Sequence, residues 1–441
     1  MSKHSAIYGK TFWETYDFLQ KSQRWSRNKL EEYQMQQLNN LLCHVYQNVP
    51  FYTKVFNELD IKPKDIQTKD DLKKLPVMTR DIFRNNFSEL VAVNMDDVKM
   101  PGGHTSGMTG NALQFFTSDD IKQKELAFIF HQWSRVGYKP GQPRIEIRGA
   151  VSDNDSRIVY DPGYNVFRFS PRIENKEAAQ YYLDNIKDFK ADFIYGYSSA
   201  IASFAHIIKK YGLIVPRRFK AVLFSSENIY DWQRQITSEV FNCRLFSHYG
   251  QCEQVVIAAE CESSAIYHCA PQYGVTEFDD KTDEIISTGF LNNVNPFIRY
   301  RTYDIASGIS SYCEQCHRAY YPVFKNIEGR LGDYLVTSRG LFGPAIMTFP
   351  FKDLKTIRDT QIIQKSPDQT VIKVVSWPDK DPLLHNDEIE FLKKSLHDIL
   401  GTDMNIEVEK VEEIERQTSG KYKWIISNIS QDVIEKGLRS S

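Results

Sequence analysis

Leu38, Leu41, Leu42 and Val45 recur at i, i+3, i+4 and i+7, which predicts an amphipathic helix over about residues 28–47. The segment Asn48–Val49–Pro50–Phe51–Tyr52 closes it, because proline restricts the residue before it and removes a backbone donor. From about residue 175 the pattern alternates. Residues 175–189 read as a helix, Phe193–Ile194–Tyr195 as extended chain and 199–211 as a second helix. Ala221–Val222–Leu223–Phe224 reads as a strand, residues 230–240 as a helix and Arg244–Leu245–Phe246 as a strand. Strands and helices in this order predict a parallel sheet with right-handed crossovers. The polar stretches Ser225–Ser226–Glu227 and Ser247–His248–Tyr249–Gly250 then fall at the sheet's carboxyl edge, where such sheets bind ligands.

The last hundred or so residues change character. Gln361–Gln364 and Val371–Trp377 read as strands, the second enriched in β-branched residues. Asn386–Leu400 reads as a helix with Ile389, Leu392, Leu396 and Leu400 on one face, and Met404–Val408 as another strand. This β-β-α-β order fits a small α+β domain with its own core. Glycines and charges interrupt the apolar pattern near Gly329–Asp333, which divides a large α/β domain, 1–332, from a small one, 333–441.

Composition narrows the class. A chain of 441 residues is too long for one core. Its 41% apolar and 25% charged residues are ordinary for a globular protein. A formal charge of −2 without long charged blocks gives no footing for nucleic acid or an anionic membrane. No apolar run approaches the ~20 residues that span a bilayer. The start, Met1–Ser2–Lys3–His4–Ser5, leads into an aromatic and charged segment, so a cytoplasmic location is expected. Seven cysteines, an odd number, then read as thiols or metal ligands rather than a disulfide scaffold.

The polar loops carry the candidate chemistry. In His104–Thr105–Ser106–Gly107–Met108–Thr109–Gly110, small and hydroxyl residues combine bared backbone N–H groups with side-chain donors, a combination suited to a phosphate. No Gly-Lys-Ser/Thr closes this loop, so it is not a Walker A loop. Downstream follow Ser225–Ser226–Glu227, Tyr249–Gly250–Gln251–Cys252–Glu253 and Arg299–Tyr300–Arg301–Thr302–Tyr303–Asp304. Gly329–Arg330–Leu331–Gly332–Asp333 and Thr418–Ser419–Gly420–Lys421 complete the series. In this order the motifs resemble the adenylate-forming (acyl-CoA synthetase-like) superfamily, in its phenylacetate–CoA ligase branch, which includes capsular-polysaccharide-biosynthesis homologues. The resemblance runs nearly end to end and takes in Trp25–Ser26, Asn48–Tyr52 and Leu75–Pro76–Val77–Met78–Thr79–Arg80.

The resemblance implies that a small-molecule carboxylate attacks the α-phosphate of ATP, giving an acyl-adenylate and pyrophosphate, and that an acceptor then takes the acyl group. It implies that Thr105, Ser106, Gly107, Thr109 and Gly110 hold the pyrophosphate portion, and that Ser226, Glu227, Tyr249 and Gly250 lie on the adenine side. Glu253 matches the magnesium carboxylate, Asp304 the acceptor of both ribose hydroxyls, and Arg330 a second ribose or phosphate contact. Lys421 matches the lysine that neutralises charge during adenylation, carried by a small domain that rotates about a hinge near Asp333. Met108 stands where a hydroxyl is usual, Tyr303 where glycine is usual, and Gly332 interrupts the hinge pattern. CoA is the implied acceptor. An amine or hydroxyl of a sugar precursor is the alternative, and a degenerate nucleotide-binding homologue a third reading. For the acyl group, Phe128, Phe130, Trp133, Tyr195 and Tyr197 are candidate pocket residues.

A separate set suits a metal. Cys261 with His268, and Cys313 with Cys316 two residues apart in between, offer thiolate and imidazole ligands for a closed, structural Zn²⁺ site. Cys269, Cys252 and His317 are alternates for a ligand position.

Overall fold

The computed structural model describes residues 7–95, 100–101, 113–148, 158–330 other than 172, 174 and 317, 333–342, 347, 349–351, 354–415, 423–430 and 433. The first expected helix runs over Arg27–Asn48, capped by Ser26, whose side chain accepts from the Lys29 N–H. It buries Leu38, Leu41, Leu42 and Val45. Pro50 does more than end it. A new helix, Pro50–Glu58, starts there, because the first helical position has no intrahelical partner for the N–H that proline lacks.

Nine strands form the largest sheet. Its middle is the expected parallel array, in the spatial order Val166–Phe169, Arg144–Ile147, Phe193–Gly196, Ala221–Phe224 and Arg244–Gly250. Antiparallel strands flank it, Ile158–Asp161 on one side and Ile257–Glu260, Tyr267–Cys269 and Val323–Phe324 on the other. Alternation splits the parallel strands between two cores. Ile145, Ile194 and Val222 pack against helices Lys176–Asp188, Ser198–Lys210 and Asp231–Phe241. Phe193, Leu223 and Phe246 face helices Lys10–Ser22 and Asp119–Trp133.

A second sheet was not foreseen. Gly274–Phe278, Glu284–Gly289, Tyr300–Ser307 and Asn326–Arg330 pair antiparallel in chain order. Val275, Ile285 and Tyr300 of this sheet share a core with Leu38, Leu42, Phe56 and Phe83.

The last part of the chain follows the expected β-β-α-β order, with Ile357–Ser366, Gln369–Ser376, helix Pro382–Leu400 and Asn405–Lys410. A fourth strand, Ile425–Ser427, lies parallel to Ile357–Ser366. Ile362, Ile372, Leu392, Leu396 and Ile425 form its core, which also takes in Leu335 and Met347. Trp377, just past the second strand, is instead buried in the core of the large sheet. The Lys210 ammonium sits 3.9 Å from its ring centre, the His206 ring 5.2 Å away, and Lys210 also pairs with Asp379 at 2.8 Å.

Close approach fixes one glycine. A Cβ on Gly196 would lie 2.3 Å from the Ile147 carbonyl oxygen of the neighbouring strand. Gly196→Ala is expected to cost about 1–3 kcal/mol, the usual range for overpacking, read as a lower urea midpoint at unchanged m-value.

Candidate active site

A cavity of about 700 Å³ opens where the parallel strands end, between the two sheets and the C-terminal part of the chain. The loop after Ala221–Phe224 turns sharply, with Ser226 in the left-handed region at φ 69°. Ser225 Oγ donates to Tyr195 Oη at 2.8 Å. The Glu227 carboxylate accepts the Ser199 N–H at 3.0 Å, satisfying a free donor at the start of helix Ser198–Lys210. Of the five aromatic residues expected at an acyl pocket, only Tyr195 lines the cavity. Phe130 and Trp133 are spent in the core against Tyr138, and Phe128 packs edge-on against Tyr273.

Asp304 is the hub of the opposite wall. Its Oδ2 accepts from Tyr249 Oη at 2.7 Å and Gln251 Nε2 at 2.8 Å, and its Oδ1 from Arg330 Nε at 3.0 Å. Burial, and then this carboxylate, push the Tyr249 phenol far up, so it stays a donor. Asp304 in turn holds the Arg330 guanidinium firmly protonated. Tyr303 takes φ 66°, a conformation that glycine adopts freely and a bulky residue adopts only at a cost.

Glu253 is buried, and Tyr300 Oη donates to its Oε1 at 2.8 Å. Arg80 reaches the same oxygen at 4.0 Å. Arg80 arrives because Leu75–Arg80 docks on the second sheet: Met78 N–H donates to Arg299 O and Arg301 N–H to Met78 O, each at 2.9 Å. Thr79 then caps helix Arg80–Asn85. Arg80 and Gln251 both line the cavity, though neither is marked as a site residue by its local sequence.

The phosphate-type loop with Thr105, Ser106, Gly107, Thr109 and Gly110 lies outside the described residues, as do Met108, His317, Gly332 and Lys421. The chain just beyond Lys421 does enter the site, since Lys423 and Trp424 line the cavity. Lys423 Nζ lies 3.5 Å from Asp333 Oδ1, while Asp333 Oδ2 accepts the Arg330 N–H at 3.0 Å. Burial raises the Asp333 carboxyl, against the pull of Lys423. Trp424 packs edge-on against Tyr230 at 5.3 Å.

Away from the cavity, the ligand atoms of Cys261, His268, Cys313 and Cys316 lie within 4.8 Å of one another. Cys261 Sγ accepts the Ser263 N–H at 3.3 Å and Cys313 Sγ the Gln315 N–H at 3.4 Å, contacts that suit thiolates. The donor set and its compactness fit a tetrahedral Zn²⁺. Neither Cys269, buried with its thiol pushed up to about 12, nor the exposed Cys252 belongs to the group.

Residues 335–428 match the family model of the CapK C-terminal domain. A phenylacetate–coenzyme A ligase of Aromatoleum evansii is 24% identical over 92% of this chain and 96% of its own length. Among solved structures, 2-hydroxyisobutyryl-CoA ligase in the postadenylation state, in complex with R3-HIB-AMP, superposes with a TM-score of 0.68. It is 14% identical, over 93% of this chain and 92% of that one. The same ligase in its thioesterification state, with 2-HIB-AMP and CoA, gives 0.55 at 16% identity over 95% and 94%. The fold is that of the adenylate-forming ligases. In sequence the chain is similar to the phenylacetate–CoA ligases, and residues 335–428 to the CapK C-terminal domain.

One acid in the cavity wall carries a pH signature. Burial pushes the Glu125 carboxyl up to about 7, against a hydrogen bond from Tyr273 Oη. The folded state therefore favours the protonated form. Its contribution to stability is complete below the unfolded value near 4.5 and is lost as pH rises through about 7. Thermal midpoints are expected to fall from pH 5 to pH 8, and Glu125→Gln to flatten that slope.

Proposed function

We propose that the protein activates a carboxylic acid with ATP and Mg²⁺ to an acyl-adenylate and then transfers the acyl group to CoA. The convergence of Tyr249, Gln251, Asp304 and Arg330 with Lys423 and Trp424 on one cavity carries this reading. Asp304 is the ribose acceptor. An ionised carboxylate offers about four lone-pair sites, and three donors already occupy them here, so nucleotide entry exchanges Tyr249 or Gln251 for a ribose hydroxyl. The loop after Ala221–Phe224, with Ser226 and Glu227, forms the adenine side together with Tyr249 and Gly250. Glu253 is the hard oxygen donor for Mg²⁺, with Tyr300 fixing its rotamer.

Thr105, Ser106, Gly107, Thr109 and Gly110 would cradle the β,γ-phosphates, and Lys421 would meet the charge growing at the α-phosphate. Attack at phosphorus needs little covalent help beyond such positioning and charge stabilisation. The better superposition on the postadenylation than on the thioesterification state of one ligase supports an arrangement suited to the first half-reaction. Residues 333–441 would then rotate against 1–332 to open the way for CoA, withdrawing Lys421. ATP and CoA place the work in the cytoplasm. Cys261, His268, Cys313 and Cys316 would hold a structural Zn²⁺ that clamps the chain around 308–322 to the edge of the large sheet.

Pyrophosphate release with a panel of acids tests the reaction, and CoA against amino-sugar acceptors tests the second step. Release with no acid, despite measurable ATP binding, leaves a nucleotide-binding homologue instead. Lys421→Ala is expected to slow adenylation at least a hundredfold while sparing transfer from a supplied acyl-adenylate; equal loss of both steps contradicts the rotation. Elemental analysis should find about one zinc per chain, and Cys316→Ser should lower both the zinc content and the thermal midpoint.

A further inference from the structure

One strand of the large sheet, Arg144–Ile147, begins with an arginine and is followed by another, Arg148, and the two differ in company. Arg144 is paired, its guanidinium donating to Glu146 at 2.7 and 2.9 Å and to Tyr138 Oη at 2.7 Å. Glu146 also receives Arg168 at 3.4 Å. Arg148, four residues beyond Arg144, lines the cavity and is largely buried, and among the described residues it forms no ion pair with a carboxylate. Its partners are phenols. It donates to Tyr195 Oη, and its guanidinium carbon lies 4.9 Å from the Tyr195 ring centre and 5.6 Å from that of Tyr197.

A buried cation without a counter-ion is costly, by several kcal/mol in order of magnitude. The carboxylate whose charge reaches it, Glu146, is already paired with Arg144 and Arg168, and the groups in direct contact with it are donors. Ser225 Oγ donates to Tyr195 Oη, leaving that phenol's own proton for another acceptor. His248 lines the same wall, and its Nδ1 accepts from Trp133 Nε1 at 3.3 Å. Burial, then the Arg148 charge, push its pKa down to about 3, so the ring is neutral with its proton on Nε2. One end of the cavity thus presents a guanidinium, a phenol and an imidazole N–H with no carboxylate paired to them among the described residues.

We propose that this end is a subsite for a second oxyanion on the substrate, so that the acid activated by this protein is a dicarboxylate whose distal carboxylate is held by Arg148, Tyr195 and His248. The planar guanidinium fork matches a carboxylate, and a substrate anion would supply the direct partner that no described carboxylate provides. Aromatic neighbours on the guanidinium faces hold the fork in place. The proposal rests on the adenylation reading for the role of the first carboxylate, and the test keeps the two apart.

Pyrophosphate release is measured with matched pairs of equal carbon number: succinate and butyrate, glutarate and pentanoate, adipate and hexanoate, homophthalate and 2-methylphenylacetate. At least one diacid should exceed its partner tenfold or more in kcat/KM. Arg148→Met, checked for folding by circular dichroism, should reduce that diacid about a hundredfold, mainly through KM, and improve the matched monoacid. Equal use of the paired acids by the wild type, or equal loss of both in Arg148→Met, overturns the subsite. Thermal shift with the four diacids gives a readout without turnover. A diacid-dependent rise that Arg148→Met abolishes, with no pyrophosphate release from any acid, keeps the subsite and removes adenylation. No rise and no release removes both.

Discussion

The site depends on one carboxylate. Asp304 ties together parts of the chain far apart in sequence: Tyr249 and Gln251 at the end of a parallel strand, and Arg330 at the end of the second sheet. Through Arg330 the connection continues to Asp333 and from there to Lys423, next to the last strand of the C-terminal core. Each link is charge-assisted and sheltered from bulk water, the setting in which such bonds are strongest. Removing the carboxylate would leave a buried guanidinium and two polar donors facing one another.

Much of this architecture was legible because it obeys simple periods. The helix Arg27–Asn48, the alternating strands and helices from Lys176 to Gly250, and the C-terminal β-β-α-β unit all announce themselves by apolar spacing. The second sheet did not. Glu284–Gly289 is buried along its whole length, so it shows no alternation, and a bulge shifts the register between Glu284 and Ile286 against Tyr300–Ser307. Ile425–Ser427 is too short for any pattern. At the site, the order of motifs named Tyr249, Glu253, Asp304 and Arg330, whereas Arg80 and Arg148 came from pairing across the fold. No local spacing relates Arg80 to Glu253, 173 positions later by simple subtraction. The aromatic residues misled because a buried ring and a ligand-facing ring look the same in sequence.

The cysteine–histidine group adjoins the strand pair that carries the site. Cys261 directly follows Ile257–Glu260, which pairs with Arg244–Gly250 along His248, Tyr249 and Gly250. Glu260 reinforces that edge, accepting the Ser247 N–H at 2.9 Å and an N–H of Arg234. Arg135 donates to the carbonyls of Ala259 and Glu260 from the helical side, at 3.0 and 2.9 Å. Tyr249 is therefore held from behind by a polar frame, while its hydroxyl points forward to Asp304.

Trp377 gives the arrangement of the two parts an energetic character. Its indole leaves its own α+β core and lies in that of the large sheet, roofed by Lys210 and beside His206. Any motion carrying residues 333–441 away must bring that ring into water, an exposure of ~200 Å² worth roughly 5 kcal/mol. The Lys210–Asp379 pair would part in the same step. In the proposed rotation the indole would act as a latch, so that the alternative arrangement would be populated only when a ligand favours it by a comparable amount.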